Sequence, residues 1–95
     1  MRVRYSPESV EDLSRLRDFI KENNPAAAHR IANELLDGIN KLKLFPKIGL
    51  PVTRAADPQI IRDLFIGNYT VRYLIGKNEI CILRMWHGKE IEKDL

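Results

Sequence analysis

Cysteine is almost missing from this chain: Cys81 stands alone among 95 residues, so no internal disulfide can form. Its setting, Ile80-Cys81-Ile82-Leu83, suits a small buried hydrophobe in a reducing compartment. Histidine is nearly as scarce. His29 and His87 lie far apart and no ligand-spaced cluster surrounds them, so neither a metal nor a cofactor is expected. His29, between Ala28 and Arg30 on a long helix, reads as a solvent-facing or partner-facing residue. No glycine-rich loop opens a helix, which removes the usual phosphate cradle. Nor does any apolar run approach the roughly 18 residues of a membrane span. The start, Met1-Arg2-Val3-Arg4-Tyr5, lacks the apolar stretch of a signal peptide. A cytoplasmic protein that makes no use of the membrane is expected.

What is present describes an ordinary globular chain. Hydrophobic residues make up 44% and charged residues 31%, a balance that excludes disorder and fibres. Residues 1–95 have room for one domain with a modest core, which leaves apolar surface for a partner to cover. Sixteen Lys and Arg face thirteen Asp and Glu, for a formal charge of +3. That favours an acidic partner weakly and falls short of a dedicated nucleic-acid binder.

Local signals then divide the chain. Met1 to Tyr5 alternates like a half-buried strand. Ser6 can cap a helix, Pro7 fits its first position, and Glu8, Glu11 and Asp12 complement the positive end of its dipole. Val10, Leu13, Leu16 and Ile20 form the apolar stripe, with Phe19 beside it, until Asn23-Asn24-Pro25 stops the helix. Asn24 and Pro25 can restart a helix at once, so the two helices run antiparallel. The stripe of the second helix is Ala28, Ala32, Leu35, Ile39 and Leu42, widened by Ile31 and Leu36, with alanines permitting close approach. Four breakers between Phe45 and Gln59 mark a surface connection.

After that connection the period changes to two. Strands are predicted at Ile60–Ile66, Tyr69–Ile75 and Glu79–Trp86, with turns at Gly67-Asn68 and Gly76-Lys77-Asn78. The tail, Gly88 to Leu95, reads as a short helix or a frayed end. The order β-α-α-β-β-β predicts an α+β domain with a helical hairpin packed on one face of a small antiparallel sheet. The other sheet face is left open for a large partner.

The sequence resembles the RelE/ParE toxin superfamily over almost its whole length, and its ParE branch most. The residues that carry this are Asn24-Pro25-Ala26-Ala27-Ala28, the helix exit Leu42 through Phe45-Pro46-Lys47-Ile48-Gly49, and the spaced set Arg62, Leu64, Tyr69, Val71, Tyr73. The closing strand, Ile82-Leu83-Arg84-Met85-Trp86-His87-Gly88-Lys89-Glu90, is similar to the family's Trp-His-Gly strand end followed by a basic residue. The resemblance implies a type II toxin encoded beside an antitoxin, as in plasmid-stabilisation modules. RelE-like members cut messenger RNA on the ribosome, whereas ParE-like members trap DNA gyrase.

Metal-free RNA cleavage needs a base, a cation for the phosphorane and an acid. By the resemblance, the nucleases' two basic strand residues fall on Ile61 and Asp63, and the arginine after the family's tyrosine falls on Thr70. None of these can serve as the cation. Lys89 and His87 match remnants of the nuclease set, so a ribonuclease, if there were one, would rest on His87, Arg84 and Lys89. The alternative for His87 is a hydrogen-bonded strand-end residue supporting Trp86. The expected function is therefore a ParE-like gyrase inhibitor without a catalytic site of its own. The alternatives are a RelE-like ribosome-dependent endoribonuclease or a non-toxic antitoxin-binding remnant.

Arg62, Arg72 and Arg84 occupy successive strands and would form a positive patch wherever register aligns them; otherwise they pair separately with Asp63, Glu79 and Glu90. Arg72 is expected to be solvated, while Arg62 and Arg84 could equally organise backbone groups. Tyr69, Tyr73 and Trp86 read as packing residues, and Phe19 and Phe45 as seals of the helix–sheet interface. The predicted partner contacts are Arg62, Arg84, Trp86 and His87 on the sheet and Leu13, Leu16, Ile31 and Leu35 on the hairpin. There a ParD-like antitoxin segment would dock as a helix in an apolar groove, giving a hetero-oligomer.

Overall fold

The computed structural model describes residues 1–90. Of the predicted tail, residues 91–95 lie outside the described residues, while Gly88 to Glu90 form a turn rather than a helix. The first strand, β1 (Arg2–Tyr5), leads directly into helix α1 (Pro7–Asn23). Ser6 caps α1 as its residue type dictates, its Oγ accepting from the Ser9 amide at 3.0 Å, and Pro7 occupies the first turn.

The buried face of α1 is rotated by a step from the predicted stripe. Ser9, Asp12, Leu16 and Ile20 face inward, and Val10 is exposed. The cause is polar: Ser6 and Asp12 both bond to the last sheet strand, and this sets the helix's rotation. At the helix exit Asn24 does not cap the next helix. Its side chain makes no capping bond, and a single 3-10 turn, Pro25–Ala27, intervenes before α2 (Ala28–Lys41). Leu35 and Ile39 are buried on α2 and Leu42 just beyond it, but Ala32 faces water.

The predicted connection from Phe45 to Gln59 contains one element that local signals did not show. Leu50–Pro51 forms β2, a two-residue edge strand where proline's missing donor is tolerated. It pairs Leu50 with Asp63 and Pro51 with Arg62 on β3 (Ile61–Ile66). Gly67 and Asn68 then turn the chain into β4 (Tyr69–Ile75), and β5 (Glu79–His87) follows. Gly67 has φ 57° and Asn68 is not left-handed, which fits a hairpin turn with glycine at its first central position.

The sheet order is β1-β5-β4-β3-β2. Strands β3 to β5 pair antiparallel as predicted and β2 adds antiparallel to β3, but β1 pairs parallel with β5, Arg2 opposite Glu79 through Tyr5 opposite Ile82, so the sheet is mixed. The helices lie against one face, over a core that includes Leu16, Ile39, Leu42, Val71, Tyr73 and Met85. Between the Arg72–Arg84 and Tyr73–Ile82 pairs the register slips, leaving Leu83 as an extra residue on β5. There β1 has ended, and α1 takes its place beside the exposed edge of β5.

Candidate functional site

That edge is closed by polar side chains. The Ser6 hydroxyl donates to the Leu83 carbonyl at 2.9 Å, the Met85 amide donates to Asp12 Oδ2 at 2.9 Å, and Arg15 Nη2 donates to the Met85 carbonyl at 2.9 Å. Asp12 is 1% exposed and also accepts from Arg84, Nε at 2.8 Å and Nη2 at 3.1 Å, and from Arg15 Nη1. Burial alone would push this carboxyl up. The bonds from Arg84, the Met85 amide and Arg15 outweigh it and hold Asp12 below the usual carboxylate range. Arg15 continues to Glu90 at 2.7 Å, and Glu90 Oε1 accepts the His87 amide at 2.9 Å. Arg84 is thus tied to Asp12, not to Glu90. From sequence alone Asp12 has only a helix-dipole role, because its strand partners lie more than 70 residues away.

Of the two arrangements open to the sheet arginines, separate partners rather than a shared positive patch is the one found. Register sets Arg72 opposite Arg84, but Arg62 opposite Tyr73. Arg72 is not solvated: it is buried, held by both oxygens of Asp63 at 2.8 and 2.9 Å, and its guanidinium lies 5.0 Å from the Trp86 ring centroid. The packing of Trp86 against a cation and the burial of Thr70 beside it make this sheet face less open than predicted.

Arg62 organises backbone, the second of its predicted roles. Its donors reach the Gln59 carbonyl at 2.9 Å, the Gly49 carbonyl at 2.9 Å, the Lys47 carbonyl at 3.3 Å and Gln59 Oε1 at 3.0 Å. Tyr73 completes this support from β4. Its fully buried hydroxyl donates to the Pro46 carbonyl at 2.7 Å and accepts the Gly49 amide at 2.9 Å. Burial pushes the Tyr73 phenol up, so it stays a donor throughout the ordinary pH range.

His87 ends β5 between two rings, Phe19 and Tyr69, each with its centroid 4.9 Å away. Its Nδ1 accepts the Lys89 amide at 3.0 Å, which leaves the hydrogen of the neutral ring on Nε2. It supports Phe19 and Tyr69, while Trp86, the preceding strand residue, contacts Arg72 instead. His29 and Lys89 are exposed. Cys81 is buried, as its apolar setting predicted.

Of the hairpin residues expected to meet a partner, Leu16 and Leu35 are enclosed in the intramolecular core. Leu13 and Ile31 are half-buried and pack against its rim. Phe45 does not seal the helix–sheet interface. It is 60% exposed, because Tyr73 and Arg62 draw the backbone of its loop inward and turn the side chain out.

Comparison with known proteins agrees with this architecture. The model of the ParE toxin of type II toxin–antitoxin systems, parDE, matches residues 3–92. Toxin RelE2 of Caulobacter vibrioides is 26% identical over 89 residues, covering 94% of this chain and 97% of its own length. A chain of the chromosomal ParDE TA system from P. aeruginosa superposes with a TM-score of 0.74 at 18% identity, over 92% of this chain and 95% of that one. With the α1–α2 hairpin on a five-stranded sheet and the family model spanning nearly every residue, the chain belongs to the ParE toxin family of type II toxin–antitoxin systems.

Proposed function

We propose that this toxin poisons DNA gyrase by binding it, without a bond-breaking site of its own, until a ParD-like antitoxin covers it. One observation carries the reading: the donors of the sheet arginines are already engaged within the fold. Arg84 is held by Asp12, Arg72 by Asp63, and Arg62 by backbone carbonyls. A dianionic phosphorane requires cations whose donors are available to it. The positions where RelE-like nucleases carry such cations hold Ile61, Asp63 and Thr70 instead. Purified toxin should inhibit gyrase supercoiling and accumulate cleaved DNA, and its expression should trigger DNA-damage signalling. Unchanged supercoiling at stoichiometric excess, with no damage response, refutes the proposal.

A second reading is supported by the relative that carries the name toxin RelE2. In it the ribosome supplies the missing groups, and His87 acts with Arg84 and Lys89 on translated messages. Codon-phased cuts in primer extension, lost in His87→Ala, would establish that reading in place of the first.

A further inference from the structure

The segment between α2 and β2 is built inside out. Its backbone is gripped by buried polar groups, while its large apolar side chains face water. Leu44, Phe45, Ile48 and Leu50 are 79%, 60%, 49% and 61% exposed. The first three border an open depression of about 670 Å³, along with Pro46 and Lys47. Beneath them the Tyr73 hydroxyl and the Arg62 guanidinium bind the carbonyls of Pro46, Lys47 and Gly49. The fit is close. A Cβ on Gly49 would lie 2.7 Å from the Tyr73 oxygen and 2.8 Å from the Asp63 carbonyl oxygen. A loop held this firmly cannot turn its apolar side chains inward, and a contiguous apolar patch displayed this way marks a binding surface.

Charge identifies the occupant. Residues 38–56 contain Lys41, Lys43, Lys47 and Arg54 and no Asp or Glu. These are four of the sixteen basic residues, so the other twelve are outnumbered by thirteen acidic ones, and the chain's entire excess positive charge resides here. The Met1 ammonium adds to it by donating to the Lys43 carbonyl at 3.1 Å. Among the described residues none of these four side chains makes an ion pair. A second copy of this chain would bring like charges together, and nucleic acid would leave Leu44, Ile48 and Leu50 without apolar partners. We infer that this shelf docks an acidic, amphipathic segment of the antitoxin, with Leu44, Phe45 and Ile48 receiving its apolar side chains and the surrounding lysines its carboxylates. This deepens the reading of the chain as an antitoxin's partner and is independent of the gyrase proposal.

The test uses the full-length toxin with the full-length antitoxin encoded beside it. Leu44→Ser with Phe45→Ser should weaken the complex about a hundredfold. Lys41→Glu, Lys43→Glu and Lys47→Glu together should weaken it at least as much at low salt, with a flatter salt dependence than the parent. Both sets change exposed side chains, so their melting curves should match that of the parent. In an otherwise native chain, a photoreactive residue at Leu44 should crosslink to the antitoxin's acidic segment. Affinity within about threefold of the parent for both variant sets, or no crosslink from Leu44 in a formed complex, overturns the shelf alone. The shelf is likewise overturned if the variants abolish only self-association or only binding to a DNA or RNA oligonucleotide. Failure of the parent toxin to bind the antitoxin overturns the shelf together with the antitoxin reading beneath it.

Discussion

Replacing Asp12 with alanine removes the acceptor on which Arg84, Arg15 and the Met85 amide converge. The Met85 amide is then left on an edge of β5 that no strand covers among the described residues, Arg84 loses its countercharge, and Arg15 keeps Glu90. Breaking a buried ion pair by removing one partner costs about 3–5 kcal/mol. The side chains of Arg84 and Arg15 are 19% and 34% exposed, so water relieves part of that cost. The lower end, about 3 kcal/mol, is therefore expected. A chain of this size has roughly 5–14 kcal/mol in total, so the variant should still fold at low temperature. With a urea slope of about 1.5 kcal/mol per molar, its midpoint should fall by roughly 2 M.

Asp12→Asn is the sharper variant, because its amide oxygen can still accept from Met85 while the charge is gone. Its effect also carries a pH signature. The folded-state value of Asp12 is lowered from the ordinary 3.8, so its contribution is complete above about pH 4 and is lost as pH falls through the folded value. The gap between parent and Asp12→Asn should therefore be widest near pH 7 and shrink toward pH 3. Urea titrations followed by circular dichroism at both pH values measure it. An Asp12→Ala variant within about 0.5 kcal/mol of the parent, or an Asn gap that does not shrink in acid, would refute the assignment of Asp12 as the clamp on β5.

Tyr73→Phe removes the hydroxyl that both donates to Pro46 and accepts from Gly49; about 2–3 kcal/mol should be lost in chemical denaturation, with faster amide exchange at Gly49. Gly49→Ala should destabilise by more than about 1 kcal/mol, since a Cβ there meets the Asp63 backbone as well as the Tyr73 ring edge; a neutral result in thermal melts would show that the loop can lift off the sheet. The antitoxin at a hundred times its dissociation constant should raise the melting temperature by more than about 10 °C, and an unchanged melt would count against binding to the folded toxin. Expression without antitoxin should arrest growth on plates; harmless expression would instead favour a non-toxic remnant that only binds its partner.

Short-range signals determined the elements. Ser6-Pro7 starts α1, Asn23-Asn24-Pro25 stops it, the Gly67-Asn68 turn joins two period-two runs, and Cys81 sits in an apolar run that could only be core. Each depends on groups within a few residues of one another, where residue type alone sets the dihedrals and the pattern of burial. The family resemblance was legible for a related reason, since it is carried by local strings such as Trp86-His87-Gly88.

Tertiary structure decided everything that required a distant partner. The parallel pairing of β1 with β5 places Arg2 beside Glu79, and nothing in Met1 to Tyr5 specifies which strand it will join. Asp12 faces inward where Val10 was expected, because a carboxylate with four donors from residues 15, 84 and 85 outweighs one valine's burial. Arginine is where sequence patterns had least purchase. The same side chain becomes a salt-bridge partner in Arg72, a clamp on Asp12 in Arg84 and a backbone organiser in Arg62, according to which acceptors the register brings within reach. Phe45 follows the same logic in reverse: its helix-exit position suggested burial, and the polar grip of Tyr73 and Arg62 on its loop turned it out to the solvent.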